Sequence, residues 1–584
     1  MAVKADPKAQ YPWLRHYDAE VPKSLEYHPG TILELVEKNV REHPERRAIV
    51  FFGRVTTFGQ VGRAIDRLAA GLAALGVGAG DRVALLLPNC PQYIYAFYAL
   101  MKLGAVIVPV NPLSAERELE FIFTDAGVKA VIALDLLAGR LQKVRERVPS
   151  VKTVVYTSLR EEMPFPLNVL YPLKQKLSPE ARAALGKGLP LARLPAAGGS
   201  ASPATRAAGA AAVVSARAAA PTPPVPAKVD PARDVAVLIY TGGTTGRPKG
   251  VMLSHRALVV NSSHVAAWGQ VDHRDSILAV LPLFHGFGMS VCMNTPLGGG
   301  GCTILVPRFE AGEVLRLIHR YRPTIFIGVP TMFVALINHP DVKKYDLSSI
   351  RGCFAGAAAL PGEVKRRFEE LTGGKLLEGY GLTEAVTAKC ANPYRGLNKV
   401  GSIGIPFPDT VMQIVDIETG EKVLPAGEVG EIRLRSPDLM LGYWNRPAET
   451  AEALRGGWLY TGDLGKMDED GFFYIVERKK DLIITGGFNV YPKEVEEVLY
   501  LHPAVEEACV VGIPDDYRGE AVKAFVKLRE GRTAGETDII AFCREHLTPY
   551  KVPRSVEFVT EFPKSAIGKI LRRELRQREA NKAT

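Results

Sequence analysis

Eleven residues near the middle of the chain, Tyr240-Thr-Gly-Gly-Thr-Thr-Gly-Arg-Pro-Lys-Gly250, concentrate the means to hold an anion. Gly242, Gly243, Gly246 and Gly250 let backbone N–H groups turn inward, Thr241, Thr244 and Thr245 add hydroxyl donors, and Lys249 adds positive charge. The apolar run Val235-Ala-Val-Leu-Ile ahead of the loop reads as a buried strand, and Ser254 is placed to cap a helix after it. This is phosphate-binding chemistry, but not a Walker A loop, because no Gly-Lys-Ser/Thr closes it. A flexible surface turn rich in Gly and Thr is the plain alternative.

Further along, Pro282-Leu-Phe-His285-Gly-Phe-Gly288 follows the strand pattern Ser276-Ile-Leu-Ala-Val-Leu. Its glycines would hold His285 and two aromatics at a strand's C-terminal end, where α/β sheets bind ligands; a packed core histidine is the other reading. Cys353-Phe-Ala-Gly-Ala-Ala-Ala-Leu360 offers small side chains (Gly356, Ala357, Ala358) that let a flat ligand approach the backbone. In Gly379-Tyr380-Gly381-Leu-Thr383-Glu384 an aromatic, a hydroxyl and a carboxylate follow a strand, suited to stacking a base, binding a phosphate and holding Mg²⁺. A plain turn could use the same residues. Asp463, between Gly462 and Leu464, reads as a carboxylate in a glycine-flanked turn, either a partner for two ribose hydroxyls or an Asx turn. The tail Pro563-Lys-Ser-Ala-Ile-Gly-Lys569 reads as a tight turn setting a lysine beside a basic helix. The alternative there is a solvated helix, with Arg576 and Arg578 in water.

The elements that must position these residues alternate. Helical periodicity at Thr31 to Val40, Phe58 to Leu72 and near Tyr93 to Leu103 interleaves with strand patterns at Ala48 to Phe52, Arg82 to Leu87 and Ala105 to Val110. Such alternation predicts a mostly parallel sheet with helices on its faces. Val411 to Asp416, Gly430 to Arg435 and Gly471 to Glu477 suggest a smaller β-rich section, and after Arg478-Lys-Lys-Asp481 comes a compact α+β pattern. Between residues 182 and 229 the chain turns to Ala, Pro and Gly without an acidic or aromatic residue, a composition with no core to build, read as a low-complexity insert. Just before it, Pro164 to Leu173 carries apolar surface expected to dock on the protein, with lipid the other candidate.

Composition narrows the rest. At 584 residues the chain exceeds one core, and 47% hydrophobic with 23% charged residues is ordinary for a soluble protein. The net charge of +10 favours anionic ligands or an anionic membrane surface, although a solvated basic surface explains it equally. No apolar run reaches the roughly 18 residues of a membrane span, and the opening residues carry no signal-peptide segment, so a cytoplasmic location is expected. Seven scattered cysteines without a Cys-x-x-Cys pair read as buried apolar residues in a reducing compartment. No aromatic–basic interleaving supports nucleic-acid binding.

The motifs, their order and their spacing resemble the adenylate-forming superfamily of acyl-CoA ligases, luciferases and peptide-synthetase adenylation domains, from about Thr31 to Arg573. Within it the chain looks like the bacterial long-chain fatty acid–CoA ligases. Gly457-Trp-Leu-Tyr-Thr-Gly-Asp-Leu-Gly-Lys-Met-Asp-Glu-Asp-Gly-Phe-Phe-Tyr-Ile-Val-Glu-Arg-Lys-Lys480 matches that subgroup's fatty-acid signature, and Tyr240-Thr-Gly-Gly carries its second glycine. The resemblance implies an α/β fold: a large N-terminal domain of α/β layers with a β-rich subdomain (1–477), a hinge (478–482) and a small mobile α+β C-terminal domain (483–584). It implies a reaction in which a fatty acid, ATP and coenzyme A yield acyl-CoA through an acyl-adenylate, releasing AMP and pyrophosphate. The alternatives are a medium-chain or aryl acyl-CoA ligase, or a CoA-independent acyl-AMP ligase. It assigns Lys569, His285 and Glu384 to catalysis. The nucleotide falls to Thr241, Gly242, Gly243, Thr244, Thr245, Gly246, Lys249, Gly356, Ala357, Ala358, Gly379, Tyr380, Gly381, Thr383, Asp463 and Arg478. Mg²⁺ falls to Thr241 and Glu384, coenzyme A to Gly486, Gly487 and Phe488, and the pivot to Lys480. A homodimer and peripheral contact with the inner face of the membrane are left open.

Overall fold

The computed structural model describes residues 11–174, 177–186, 188–191, 225–241, 248–486, 488–515, 517–564 and 570–583. Local chemistry sets the helix starts. Thr31 and Thr57 accept the N–H three residues on, and Glu34 and Gln60 reach back to the cap backbone, closing capping boxes on Ile32–Glu42 and Phe58–Ala74. Pro91, Pro330 and Pro492 open Pro91–Lys102, Pro330–Ile337 and Pro492–Leu501, where the missing N–H would have no helical partner.

Among the described residues the strands form four sheets. In the largest, Ser276–Ala279, Ile325–Gly328, Gly352–Ala355 and Lys375–Gly381 run parallel as neighbours, so the loops that follow them leave from one edge. A second sheet sets Val235–Thr241 parallel to Val106–Pro109. Lys249–Ser254 then returns antiparallel to Val235–Thr241, with Thr241 opposite Lys249. The sequence pattern had shown the first strand and the helix but not this return strand. Ser254 caps the helix His255–Gly269 as expected, accepting the Ala257 N–H at 3.1 Å. Side chains of both sheets meet in one core around Pro91–Lys102, which is buried along its whole length. Its single charge, Lys102, is answered by Glu37 at 2.9 Å and Asp66 at 2.5 Å.

The remaining two sheets are the β-rich and α+β parts. Val411–Val415, Gly430–Arg435, Trp458–Met467 and Phe473–Arg478 form an antiparallel set. Ile483–Thr485, Val505–Asp515 and Gly519–Leu528 form the other, a mixed sheet in which Ser555–Phe558 lies parallel to Gly519–Leu528, with its own apolar core against Pro492–Leu501 and Glu536–His546. The α/β class with a β-rich part and a separate small α+β unit is therefore present. All seven cysteines are free and buried.

Two expectations change. The low-complexity stretch does not begin at 182: Pro179–Leu185 is a helix capped by Ser178 that buries Ala181 and Ala184, and Leu189–Pro190 pairs with the strand Thr153–Thr157. The start of this helix comes close to Gly139, where an added Cβ would lie 3.4 Å from the Ala181 N. Residues 192–224 lie outside the described residues. Pro164 to Leu173 was expected to dock on the protein, yet only Tyr171 packs on the core; Phe165 is 82% and Leu173 72% exposed, and Leu167, Val169 and Leu170 are exposed too. In the helix Leu167–Lys174 the 3.6-residue period sets Val169, Leu170 and Leu173 away from the side on which Tyr171 packs.

Candidate active site

The loops leaving the shared edge of the largest sheet converge. After Ser276–Ala279 the chain turns so that the His285 N–H reaches Pro282 O at 3.1 Å. The Phe287 N–H donates to His285 Nδ1 at 3.2 Å, which leaves a neutral ring with its proton on Nε2. Burial lowers the histidine's pKa further. Gly286 lies so close to the Val386 carbonyl that a Cβ would overlap it, and at Gly356 a Cβ would meet the Phe287 ring at 3.0 Å. The His285 segment, the turn after Gly352–Ala355 and the turn after Lys375–Gly381 are thus packed on one another. Ala357 and Ala358 continue that second turn as exposed residues, Ala357 at φ +68°.

Strand Lys375–Gly381 carries Gly379 and Tyr380 beyond its parallel neighbour and pairs them with Ala388–Ala391. Between them Thr383–Ala385 forms a tight turn holding Thr383 and Glu384 half-buried. The Glu384 carboxylate accepts Tyr443 Oη–H at 2.9 Å, and its main-chain oxygen accepts the Met440 N–H at 2.7 Å. Tyr380 donates its hydroxyl to Asp463 Oδ2 at 2.6 Å, while Arg478 Nε lies 2.7 Å from Asp463 Oδ1. Burial, then the Asp463 charge, keeps the Tyr380 phenol protonated far above its ordinary range. Asp463 was expected in a turn; it lies within the strand Trp458–Met467, directly across from Arg478. Gly462 takes φ +69° beside a register shift, so the glycines mark an irregular strand rather than a turn.

Thr241 and Lys249 end the two strands that flank the loop expected to bind phosphate, and Gly242, Gly243, Thr244, Thr245 and Gly246 lie outside the described residues. Lys249 Nζ sits 5.0 Å from the centre of the Tyr443 ring and 3.9 Å from Glu449. In the small α+β unit Gly486 follows the strand Ile483–Thr485 and the 57% exposed Phe488 ring stacks on Tyr550 at 4.7 Å. Gly487 and Lys569 lie outside the described residues. Lys480 is exposed, and its carbonyl accepts Arg576 Nη1 at 3.0 Å. Arg576, expected in water, also meets Asp481 at 3.1 Å, because the helix Arg572–Ala583 folds back onto the 478–482 segment. Arg572 spans Glu477 at 2.7 Å and Glu496 at 2.6 Å.

Several residues of this region were not foreseen. Lys389 and Asp438 form a fully buried ion pair, and Asp438 also accepts from Asn261 at 2.9 Å and Ser436 at 2.5 Å. Asn261 in turn donates to Ala388 O at 3.3 Å, so the pair braces the base of the Thr383–Glu384 turn. Glu378, one residue before Gly379, is buried, and burial pushes its carboxyl up to about 7 despite Lys493 nearby. Their partners lie far away in sequence, and no local spacing announces them. Among the described residues no three His, Cys, Asp or Glu side chains gather to hold a metal ion.

A carboxylate with a phenol donor, a polar strand pair fit for a sugar and Lys249 are therefore linked through Tyr443 and the Tyr380–Glu384 segment. The chain belongs to the AMP-binding enzyme family: that family's model matches residues 36–444, and the model of the AMP-binding enzyme C-terminal domain matches 494–569. It is 44% identical to a long-chain-fatty-acid–CoA ligase of Bacillus subtilis, over 98% of this chain and 99% of that one. It is 38% identical to a long-chain-fatty-acid–CoA ligase of Escherichia coli O6:H1, over 98% of each. Among solved structures it superposes on ATP-bound MatB from Rhodopseudomonas palustris with a TM-score of 0.76 and 29% identity, covering 94% of this chain and 100% of that one.

Proposed function

We propose that this enzyme joins a long-chain fatty acid to coenzyme A at the expense of ATP, through an acyl-adenylate, releasing pyrophosphate and then AMP. The observation that carries the reading is the convergence of His285, Gly356, Tyr380 and Glu384 at one sheet edge, where Tyr380 meets Asp463 and Arg478 of the antiparallel sheet, in a chain matched along its length by ligases of that name. The carboxylate oxygen of the fatty acid attacks the α-phosphorus of ATP, and pyrophosphate leaves. Lys569 bridges carboxylate and α-phosphate, where preorganised charge in a dry site counts most. Thr244, Thr245 and Thr383 hold phosphate oxygens with the loop's N–H groups. Adenine lies along Tyr380 beside Gly356, Ala357 and Ala358, and the ribose hydroxyls meet Asp463 and Arg478. His285, neutral and wedged behind Phe287, lines the acyl side.

The donors present suit Mg²⁺: the Glu384 carboxylate and the Thr241 hydroxyl are hard oxygens, and so few protein ligands match an ion held chiefly by phosphates and water. Bound there, the ion would neutralise charge developing on the phosphates. In the second step the CoA thiol attacks the acyl carbon and AMP leaves, with Gly486, Gly487 and Phe488 beside the pantetheine arm. Lys480 is the pivot that exchanges Lys569 for that stretch at the same site.

The test is a panel of acids assayed for CoA-dependent AMP release. Palmitate and oleate are expected to exceed octanoate and ferulate by at least about ten-fold in kcat/KM, that is about 1.4 kcal/mol. Preference for an aryl or medium-chain acid would overturn the substrate assignment, and AMP release without thioester would overturn the CoA step. Peripheral lipid contact falls to the charge-free stretch Phe165 to Leu173, where Phe165, Leu167, Val169, Leu170 and Leu173 are exposed. Phe165→Asp with Leu173→Asp is expected to abolish flotation with anionic vesicles while sparing activity on detergent-dispersed acid. Wild-type protein that stays off vesicles would refute the contact.

A further inference from the structure

The segment Ser436 to Trp444 touches both halves of the proposed nucleotide site. Its last residues are zipped onto the strand that returns from the phosphate loop: Leu441 N–H bonds Met252 O at 2.8 Å, Trp444 N–H bonds Gly250 O at 2.7 Å, and Tyr443 pairs with Val251. On the other side, Met440 holds the Glu384 main chain, and Asp438 is locked on Lys389 at the base of the same turn. Tyr443 itself faces both ways. Its hydroxyl donates to Glu384 Oε1 at 2.9 Å, and its ring lies under Lys249 Nζ at 5.0 Å. Burial and the Glu384 charge keep the phenol protonated, so it remains a donor. Its N–H is held by Thr450 Oγ1 at 2.9 Å, and that hydroxyl donates to Arg446 O at 2.7 Å.

A carboxylate with one oxygen fixed by a phenol presents its other oxygen in one direction, and a lysine over an aromatic face is kept from wandering along its four-carbon stem. We propose that Tyr443 is a positioning residue that holds Glu384 and Lys249 at a fixed separation, so that a metal-bound polyphosphate meets both at once. The inference rests on the functional reading above. It assigns to Tyr443 the coupling between metal and phosphate recognition, a task distinct from forming the fold.

The experiment is calorimetric titration of the full-length protein with ATP, with and without Mg²⁺, on wild type, Tyr443→Phe and Tyr443→Leu, with a melting curve for each. Tyr443→Phe keeps the ring and loses only the hydroxyl. It is expected to bind metal-free ATP within two-fold of wild type, while the tightening brought by Mg²⁺ falls about ten-fold, in line with loss of a hydrogen bond to a charged group. Tyr443→Leu, which also removes the ring under Lys249 and leaves it beside Glu449 at 3.9 Å, is expected to lose a further several-fold for ATP without metal. Wild-type behaviour of Tyr443→Phe under both conditions would overturn the proposal. So would an equal loss with and without Mg²⁺, which marks a merely structural residue. Wild-type protein that binds no ATP would fell the functional reading itself, an outcome distinct from either.

Discussion

Asp463→Asn exchanges one heavy atom and removes one charge, and its consequences can be worked out from the contacts. The carboxylate is 3% exposed, with Oδ2 taken by the Tyr380 hydroxyl at 2.6 Å and Oδ1 facing Arg478 Nε at 2.7 Å. An amide has one oxygen, so one of these donors must face an NH₂ group. Arg478 is 43% exposed along its side chain, so water recovers much of that loss and the fold should give up no more than about 1 kcal/mol. The ribose has no such recourse. A hydrogen bond to a charged group contributes about 1.5–3 kcal/mol, so ATP affinity should fall about 10- to 100-fold. Titration with ATP, ATP–pyrophosphate exchange and a melting curve read the three quantities. The palmitate KM should stay within about three-fold, because Asp463 is assigned only to the sugar. ATP affinity within two-fold of wild type would refute the reasoning, as would parallel losses for both substrates with a large drop in Tm.

Three other expectations follow from the same contacts. Lys480→Pro fixes φ near −65° within the short turn Lys479–Asp481 and should leave acyl-adenylate formation near normal while thioester formation falls about 100-fold; hydroxylamine trapping and CoA assays separate the two, and equal losses would deny the pivot. Glu378, with its carboxyl raised to about 7, binds a proton more tightly folded than unfolded, so its contribution is complete below the ordinary carboxylate range and is lost as pH climbs from there through 7. Glu378→Gln should remove a stability slope of up to about 3 kcal/mol between pH 4.5 and 7, read by denaturant melts across pH; an unchanged slope refutes it. Replacing residues 193–223 with a short Gly/Ser bridge should leave activity within a few-fold, since long surface insertions cost little closure entropy, whereas a deletion begun at Pro179 removes the helix burying Ala181 and Ala184 and should lower Tm.

The sequence carried the strand edges well, because buried parallel strands are short apolar runs, and the proposed site residues His285, Gly356 and Tyr380 to Glu384 all follow such runs. It misled where glycine had two meanings. Gly462 looked like a turn and is a positive-φ residue inside a strand, which carried Asp463 into the wrong setting. The return strand Lys249–Ser254 escaped notice because six residues flow straight into a capped helix without a break. Tyr443, Asp438 and Arg572 were invisible for another reason. Their partners Glu384, Lys389 and Glu477 stand 59, 49 and 95 positions away, and only the folded chain brings them together.

The central claim is two-step chemistry at one site, and a single-turnover chase tests it most directly. Enzyme is mixed with radiolabelled palmitate and Mg²⁺–ATP without coenzyme A, quenched in part, and the remainder is chased with coenzyme A and unlabelled palmitate. The account predicts labelled palmitoyl-AMP with stoichiometric pyrophosphate before the chase, and transfer of that label to palmitoyl-CoA with release of AMP after it. Label that reaches the thioester without passing through the adenylate, or adenylate that dissociates and is diluted before it reacts, would contradict it.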